Sequence, residues 1–334
     1  MASDTSRSDG ARAGSVVDFA MSPLSGLLFG FAAFALFSGH DSIVKYLGAT
    51  YSVFQILFVA GLFSFVPVTI LMAADNRLDN FRPHHPWLLA ARAATNVIAM
   101  SAAFYAFSVL PLTQVYALIF ATPLLITVLA VPFLGETIRL RRGLAVLVGL
   151  IGVLIVIRPG GADFSLGHGA ALLAATAGAF GAIVVRKLGR TERATVIIPY
   201  PMYASLLVMA TLQPFVFKPM QLSDMALMAA VGLMAVGAQM CIIAAYRRAA
   251  ASVIAPVQYS QMLWAVFYGA LFFNEAPDLW VGVGSAVIIA SGLYIVAREV
   301  KPDVSETTPL LRNPNIRPDT GPTPGPNVHR DLDR

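Results

Sequence analysis

The chain has 334 residues, 57% of them apolar and only 12% charged, with a formal net charge of +5. Soluble folds hold about 45–50% apolar and about 25% charged residues, so this composition excludes a water-soluble globular enzyme, and it excludes a disordered chain as well. It fits an all-α polytopic membrane protein, whose positive balance reflects Lys and Arg in cytoplasmic loops and not nucleic-acid binding.

Residues 1–22 are polar and small and contain no apolar core of signal-peptide length, so they read as a cytoplasmic N-tail. Ten apolar segments follow, at 24–45, 51–73, 87–109, 113–134, 142–157, 168–186, 195–215, 224–246, 252–273 and 279–297. Each approaches the length that crosses ~30 Å of hydrocarbon, the fifth being the shortest. The joints carry turn residues: Leu110-Pro111, Arg158-Pro-Gly-Gly, and Ala276-Pro277-Asp278. Residues 299–334 turn polar, with seven prolines in the last 34 positions, and are expected to form a disordered cytoplasmic tail.

The basic residues test this division. With both termini on one side, that side carries 20 of the 23 Lys and Arg residues, including Arg92 just inside the third segment. The other side holds Lys45, Arg158 and Lys218; without the tails the ratio is still 12 to 3. The positive-inside rule then places both termini in the cytoplasm.

A shift of 139 residues aligns the two halves without a gap. Glu136 falls on Glu275, Gly143 on Gly282, Leu124 on Leu263, Phe133 on Phe272, and Phe120 on Tyr259. The halves, 23–160 and 161–298, hold five segments each. An odd number inverts the second copy in the membrane. Inverted repeats let one fold open alternately to either side around a midplane site, the architecture of secondary transporters.

The stretch Ala103-Phe-Tyr-Ala-Phe-Ser-Val-Leu-Pro, with Leu134-Gly-Glu-Thr, Gly143 and Gly149-Leu-Ile-Gly-Val, resembles the EamA domain of the drug/metabolite transporter superfamily. The second half, through Phe273-Asn-Glu-Ala and Gly282, resembles a second copy. The resemblance covers roughly residues 24–298 and implies ten helices in two inverted five-helix repeats, a central cavity and transport of small organic metabolites. Asp41-Ser-Ile-Val-Lys45 in the first segment is similar to a subgroup that carries Arg early in the second segment, near Ala60 here.

Ionisable groups inside spans are the first functional candidates, each costing about 2.5–3.5 kcal/mol at a helix centre on insertion scales. His40, Asp41 and Lys45 lie toward the outer end of the first segment. The i, i+4 spacing of Asp41 and Lys45 predicts one shared face, read either as a local ion pair or as a gate or proton site. Glu136 and Glu275 end the fourth and ninth segments at symmetric positions, read as structural caps or as gates. Candidate substrate-binding residues are the neutral polar and aromatic side chains Asn96, Tyr105, Tyr116, Thr122, Gln239, Tyr259, Gln261 and Trp264. Such a set suits a neutral or zwitterionic molecule, with interhelical bonding as its structural alternative.

The lone Cys241 precludes an intrachain disulfide and a multi-cysteine metal site. The sequence contains no H-E-x-x-H, G-x-S-x-G or P-loop pattern, so no metal, no cofactor and no catalytic residue is expected. The expected partners are a small-molecule substrate, the lipid bilayer and a proton as coupling ion, with monomer and dimer both open. A secondary active transporter in a bacterial inner membrane is the leading reading; the alternative is a channel or a non-transport membrane protein.

Overall fold

A computed structural model of the chain describes residues 23–74, 83–135, 140–158, 165–188, 199–249, 251–276 and 278–299. Among the described residues the structure is helical throughout, without strands. The first half forms α1 (Pro23–Gly48), α2 (Val53–Ala74), α3 (Pro86–Val109), α4 (Leu112–Ile119), α5 (Thr122–Leu134) and α6 (Leu140–Ile157). The second forms α7 (Leu166–Leu188), α8 (Pro199–Val216), α9 (Leu222–Arg248), α10 (Ala251–Ile254), a 3-10 turn (Ala255–Ser260), α11 (Gln261–Phe273) and α12 (Leu279–Glu299).

Proline sets several of these boundaries. Pro86 starts α3, where a missing N–H costs nothing. Pro111 ends it, holding Leu110 extended at φ −113°, ψ 160°. Pro123 cannot donate to the carbonyl of Ile119, which separates α4 from α5. The Thr122 hydroxyl takes that orphaned carbonyl at 2.7 Å. The second half breaks at the matching place through the Pro256-containing 3-10 turn.

Among the described residues, six helical stretches are long and apolar enough to cross a bilayer: Leu24–Gly48, Val53–Ile70, Pro86–Val109, Leu112–Leu134, Leu166–Leu188 and Leu222–Arg248. Gly143–Ile157 and Leu279–Ile295 are apolar but shorter. The predicted seventh segment begins outside the described residues, and the ninth is cut into a helical turn, a 3-10 turn and a 13-residue helix.

The sequence repeat is visible in the packing. Let α1 exchange with α7, α2 with α8, α3 with α9, α5 with α11, and α6 with α12. The α1–α9 contact then becomes α7–α3, α2–α9 becomes α8–α3, and α5–α7 becomes α11–α1. All of these helix pairs are in contact. Phe120 and Tyr259, equivalent in the repeat, meet edge to face at 5.1 Å, as residues beside a two-fold axis do. Gly135 (φ 70°) and Asn274 (φ 52°), also equivalent, both end their helices in the left-handed conformation.

The outward side is apolar, as a lipid-facing surface must be. On α6, Leu140, Leu144, Leu147, Ile151 and Leu154 are exposed, whereas Ala145, Val146, Val153 and Val156 are buried. The buried face of α6 meets α12 at two glycines. A β-carbon on Gly152 would lie 2.9 Å from the Gly284 carbonyl oxygen, and one on Gly284 would lie 2.7 Å from that of Gly152. Small residues here let two backbones touch. Gly152→Leu is expected to destabilise the protein by about 1–3 kcal/mol through overpacking. Thermal unfolding of the purified variant checks this; an unchanged midpoint would mean that α6 and α12 do not need the contact.

Candidate functional site

Within α1 the apolar run is interrupted by Ser38, His40, Asp41, Ser42 and Lys45. Asp41 is completely buried, about 10 Å along the helix from its end at Gly48 at 1.5 Å per residue. Its carboxylate does not lack partners. The Tyr116 hydroxyl on α4 donates to Oδ2 and also lies 3.2 Å from the Ser38 hydroxyl. His40 Nδ1 lies 2.8 Å from Oδ1, and its ring meets Phe104 of α3 edge-on at 5.4 Å. A buried carboxyl, imidazole and phenol are thus in contact, a combination that can hold and pass a proton.

Tyr116 also starts a ladder of rings. It packs on Phe107 at 5.3 Å and on Phe120 at 6.2 Å, and Phe120 meets Tyr259 across the axis. The buried acid is therefore linked by contact to the second repeat.

One turn beyond Asp41, the i, i+4 expectation of a local pair fails. The Lys45 ammonium pairs with Glu275 at 2.7 Å, donates to the Leu110 carbonyl and stands over the Phe273 ring at 5.2 Å. The reason is geometric: Asp41 faces α4, while Lys45, in the last turn of α1, reaches past it to the α3–α4 joint. Glu275 takes the Leu112 N–H on its second oxygen at 3.2 Å. That N–H is an orphan donor of the first turn of α4. Glu275 thus caps a helix, but one in the opposite repeat. Glu136, its sequence equivalent, lies outside the described residues.

The same end of the bundle is laced further. Gln55 and the Lys218 backbone exchange hydrogen bonds at 2.7 and 2.9 Å, and Tyr51 donates to Asp224 at 2.6 Å. Lys218 Nζ donates to the Thr50 carbonyl at 2.9 Å, and Arg158 pairs with Asp278. All three cations assigned to the outer side are therefore engaged.

The neutral candidates divide. Gln261 is buried at the start of α11, and its amide nitrogen has no hydrogen-bond partner. The same holds for the indole nitrogen of Trp264, one turn on, and for the Ser260 hydroxyl. Trp264 packs against a buried cluster made by Phe34 and Phe37 of α1, Ala238 and Ile242 of α9, and Val257. Gln239 is half-buried on α9, which packs along α1. Ser260, Gln261 and Trp264 thus set three unpartnered donors at the break in the second repeat. Asn96 is buried, with weak contacts at 3.4 Å to Met100 Sδ and 3.5 Å to the Ser205 hydroxyl. Tyr259 is half-buried in the ring ladder.

Others are placed differently. The Thr122 hydroxyl is used within the α4–α5 break. Tyr105 is exposed on the face of α3 that also carries Ile98 and Val109, away from the buried cluster. Tyr116, read as cavity surface, is instead the hydrogen-bond donor to Asp41. Ser38 escaped notice, although its position three residues before Asp41 puts it on the same face. Arg92, counted above with the cytoplasmic charges from its place just inside the third segment, is 5% exposed.

The comparisons with known proteins agree with this architecture. The chain is 26% identical to an S-adenosylmethionine uptake transporter of Rickettsia bellii, over 79% of this chain and 90% of that protein. It is 26% identical to the pseudopaline exporter CntI of Pseudomonas aeruginosa strain UCBPP-PA14, over 81% and 93% of the two chains. It is 27% identical to a riboflavin transporter of Rhizobium johnstonii, over 67% and 74%. A crystal structure matched over 100% of its chain and 85% of this one has a TM-score of 0.57 at 18% identity, and so shares the fold. The EamA-like transporter family matches twice, at residues 24–158 and 165–297. With both halves matched and packed as exchanged copies, the chain belongs to the EamA-like transporter family and is an integral membrane protein.

Proposed function

We propose that the chain is a secondary active transporter that moves a small organic metabolite by alternating access between two inverted five-helix repeats, 23–160 and 161–298. The observation that carries this reading is the exchange symmetry of the helix contacts, with the repeat-equivalent Phe120 and Tyr259 touching at its centre. Two halves that can swap environments can open to either side of a membrane. The relatives named as transporters of chemically diverse small molecules support the class.

In this reading ten segments span a bacterial inner membrane with both termini cytoplasmic, and the laced end of the bundle is the outer one. The Lys45–Glu275 pair closes the outer side, and Glu136 takes the equivalent role on the inner side. The unpartnered donors of Gln261 and Trp264 meet the substrate. Asp41, with His40 and Tyr116, binds the coupling proton.

The test is counterflow. A thermal-shift screen of the purified chain against metabolites nominates a ligand, which raises stability by about 2.7 kcal/mol at 100 times its dissociation constant. Liposomes preloaded with that unlabelled ligand are then expected to accumulate the labelled form faster than empty ones. Flux without trans-stimulation would identify a channel and overturn the carrier reading.

A further inference from the structure

Arg92 lies in the second turn of α3 and is 5% exposed. Among the described residues no ion pair or hydrogen bond reaches its guanidinium, and its Nε is sealed from solvent without an acceptor. Four carboxylates are engaged elsewhere: Asp41 with His40 and Tyr116, Asp224 with Tyr51, Glu275 with Lys45, and Asp278 with Arg158. The side chain runs toward α7. It lies against Gly181 of α7, where a β-carbon would come within 2.7 Å of Nη1. One turn along α3, Asn96 presents an amide toward Ser205 of α8 at 3.5 Å, the edge of hydrogen-bond range. A cation on α3 beside α7 is thus followed, one turn along α3, by an amide and the α8 hydroxyl it approaches, with no anion among them in the described residues.

A guanidinium stays charged at any physiological pH. Buried without a counter-charge it is strongly unfavourable, and intramembrane charges are kept where a ligand or partner answers them. The group that matches a planar fork of N–H donors is an oxyanion held by two parallel hydrogen bonds.

We propose that Arg92, with Asn96 and Ser205 beside it, receives the carboxylate of the transported metabolite at the end of the bundle opposite the Lys45–Glu275 pair. This rests on the transport reading and narrows it: the substrate carries a carboxylate, as an amino-acid-like zwitterion does. The missing side chain at Gly181 leaves the room that Arg92 Nη1 occupies beside α7.

The experiment uses the purified full chain in nanodiscs of phosphatidylcholine alone. Its thermal midpoint is followed with sodium acetate, sodium phosphate or sodium chloride at equal ionic strength. Acetate is expected to raise the midpoint above chloride. Arg92→Gln is expected to lose that difference. Arg92→Lys, which keeps the charge but not the fork, and Gly181→Ala, which displaces the guanidinium, are each expected to reduce it. These two carry the test if the glutamine variant does not fold. No acetate-specific shift, an equal shift in every variant, or a shift with phosphate alone would overturn the carboxylate assignment. Phosphatidylglycerol added to the nanodisc is a separate arm. If it stabilises the native chain but not Arg92→Gln and removes the acetate effect, the occupant is a lipid headgroup and the substrate proposal falls. The transport reading fails separately, on absent trans-stimulation, whatever acetate does.

Discussion

Asp41→Asn is expected to reduce concentrative transport to the level of protein-free liposomes while exchange of substrate across the membrane continues. The carboxylate is fully buried and is the acceptor for both the Tyr116 hydroxyl and the His40 ring. Asparagine keeps the shape and can still accept from Tyr116. The change in stability is then the difference between a charged and a neutral hydrogen bond, about 1–2 kcal/mol. A loss of function larger than the loss of folded protein therefore reports on the proton and not on packing. Exchange needs no return of the empty carrier, so it survives where net flux against a gradient does not. Because Lys45 is paired with Glu275, Asp41→Asn strands no lysine, and adding Lys45→Gln is not expected to restore activity. Tyr116→Phe removes a donor from the ionised form and is expected to shift the pH dependence of uptake without abolishing it. The measurement is uptake of labelled substrate with and without an imposed proton gradient. Native accumulation by the folded Asp41→Asn protein would remove Asp41 from coupling.

Much of this arrangement is legible in the sequence. Pro111 and Pro123 mark where α3 stops and where α4 and α5 separate, because a residue without an N–H acts on its own neighbours. The repeat is legible because Glu and Gly are informative in so apolar a chain, and Glu136–Glu275 fixes a register that the left-handed caps at Gly135 and Asn274 reproduce. Partner identity is not legible. Four residues along a helix turn through 400°, so Asp41 and Lys45 share a face only approximately. Which neighbour each meets depends on helices that arrive from 65 to 230 positions away. Tyr116 shows the same limit: an aromatic in a polar-flecked helix reads as cavity lining, and only the placement of α1 reveals a donor. Arg92 was hidden by the charge count itself, which registers the side of the membrane and not burial. The signal that could have found it is an arginine nearly two turns inside a helix otherwise free of charge.

The second large effect concerns the tie between the repeats. Lys45 and Glu275 are 12% and 19% exposed, and each also holds the α3–α4 joint, through the Leu110 carbonyl and the Leu112 N–H. If this tie keeps the outer side closed, loosening it must expose what lies behind it. Thr113, next to Leu112 and 7% exposed, is a suitable reporter. In a Cys241→Ser background, Thr113→Cys is expected to react slowly with an impermeant thiol reagent added outside. A hydrogen bond to a charged group contributes about 1.5–3 kcal/mol, and each 1.4 kcal/mol is tenfold in an equilibrium. Lys45→Gln is therefore expected to speed labelling by about ten- to a hundredfold. Glu275→Gln separates the two roles of the acid. Its amide oxygen still accepts from Leu112, so a purely structural cap predicts native labelling and a gate predicts acceleration. Glu275→Leu, which loses both, is expected to label fastest and to unfold at a lower temperature. The charge reversal Lys45→Glu with Glu275→Lys restores the pair but sets a carboxylate against the Leu110 carbonyl and an ammonium against the Leu112 N–H. It is expected to recover closure only in part. Unchanged labelling in both Lys45→Gln and Glu275→Gln would mean that the pair does not hold the outer side closed, and that its place in the fold is to fasten the α3–α4 joint.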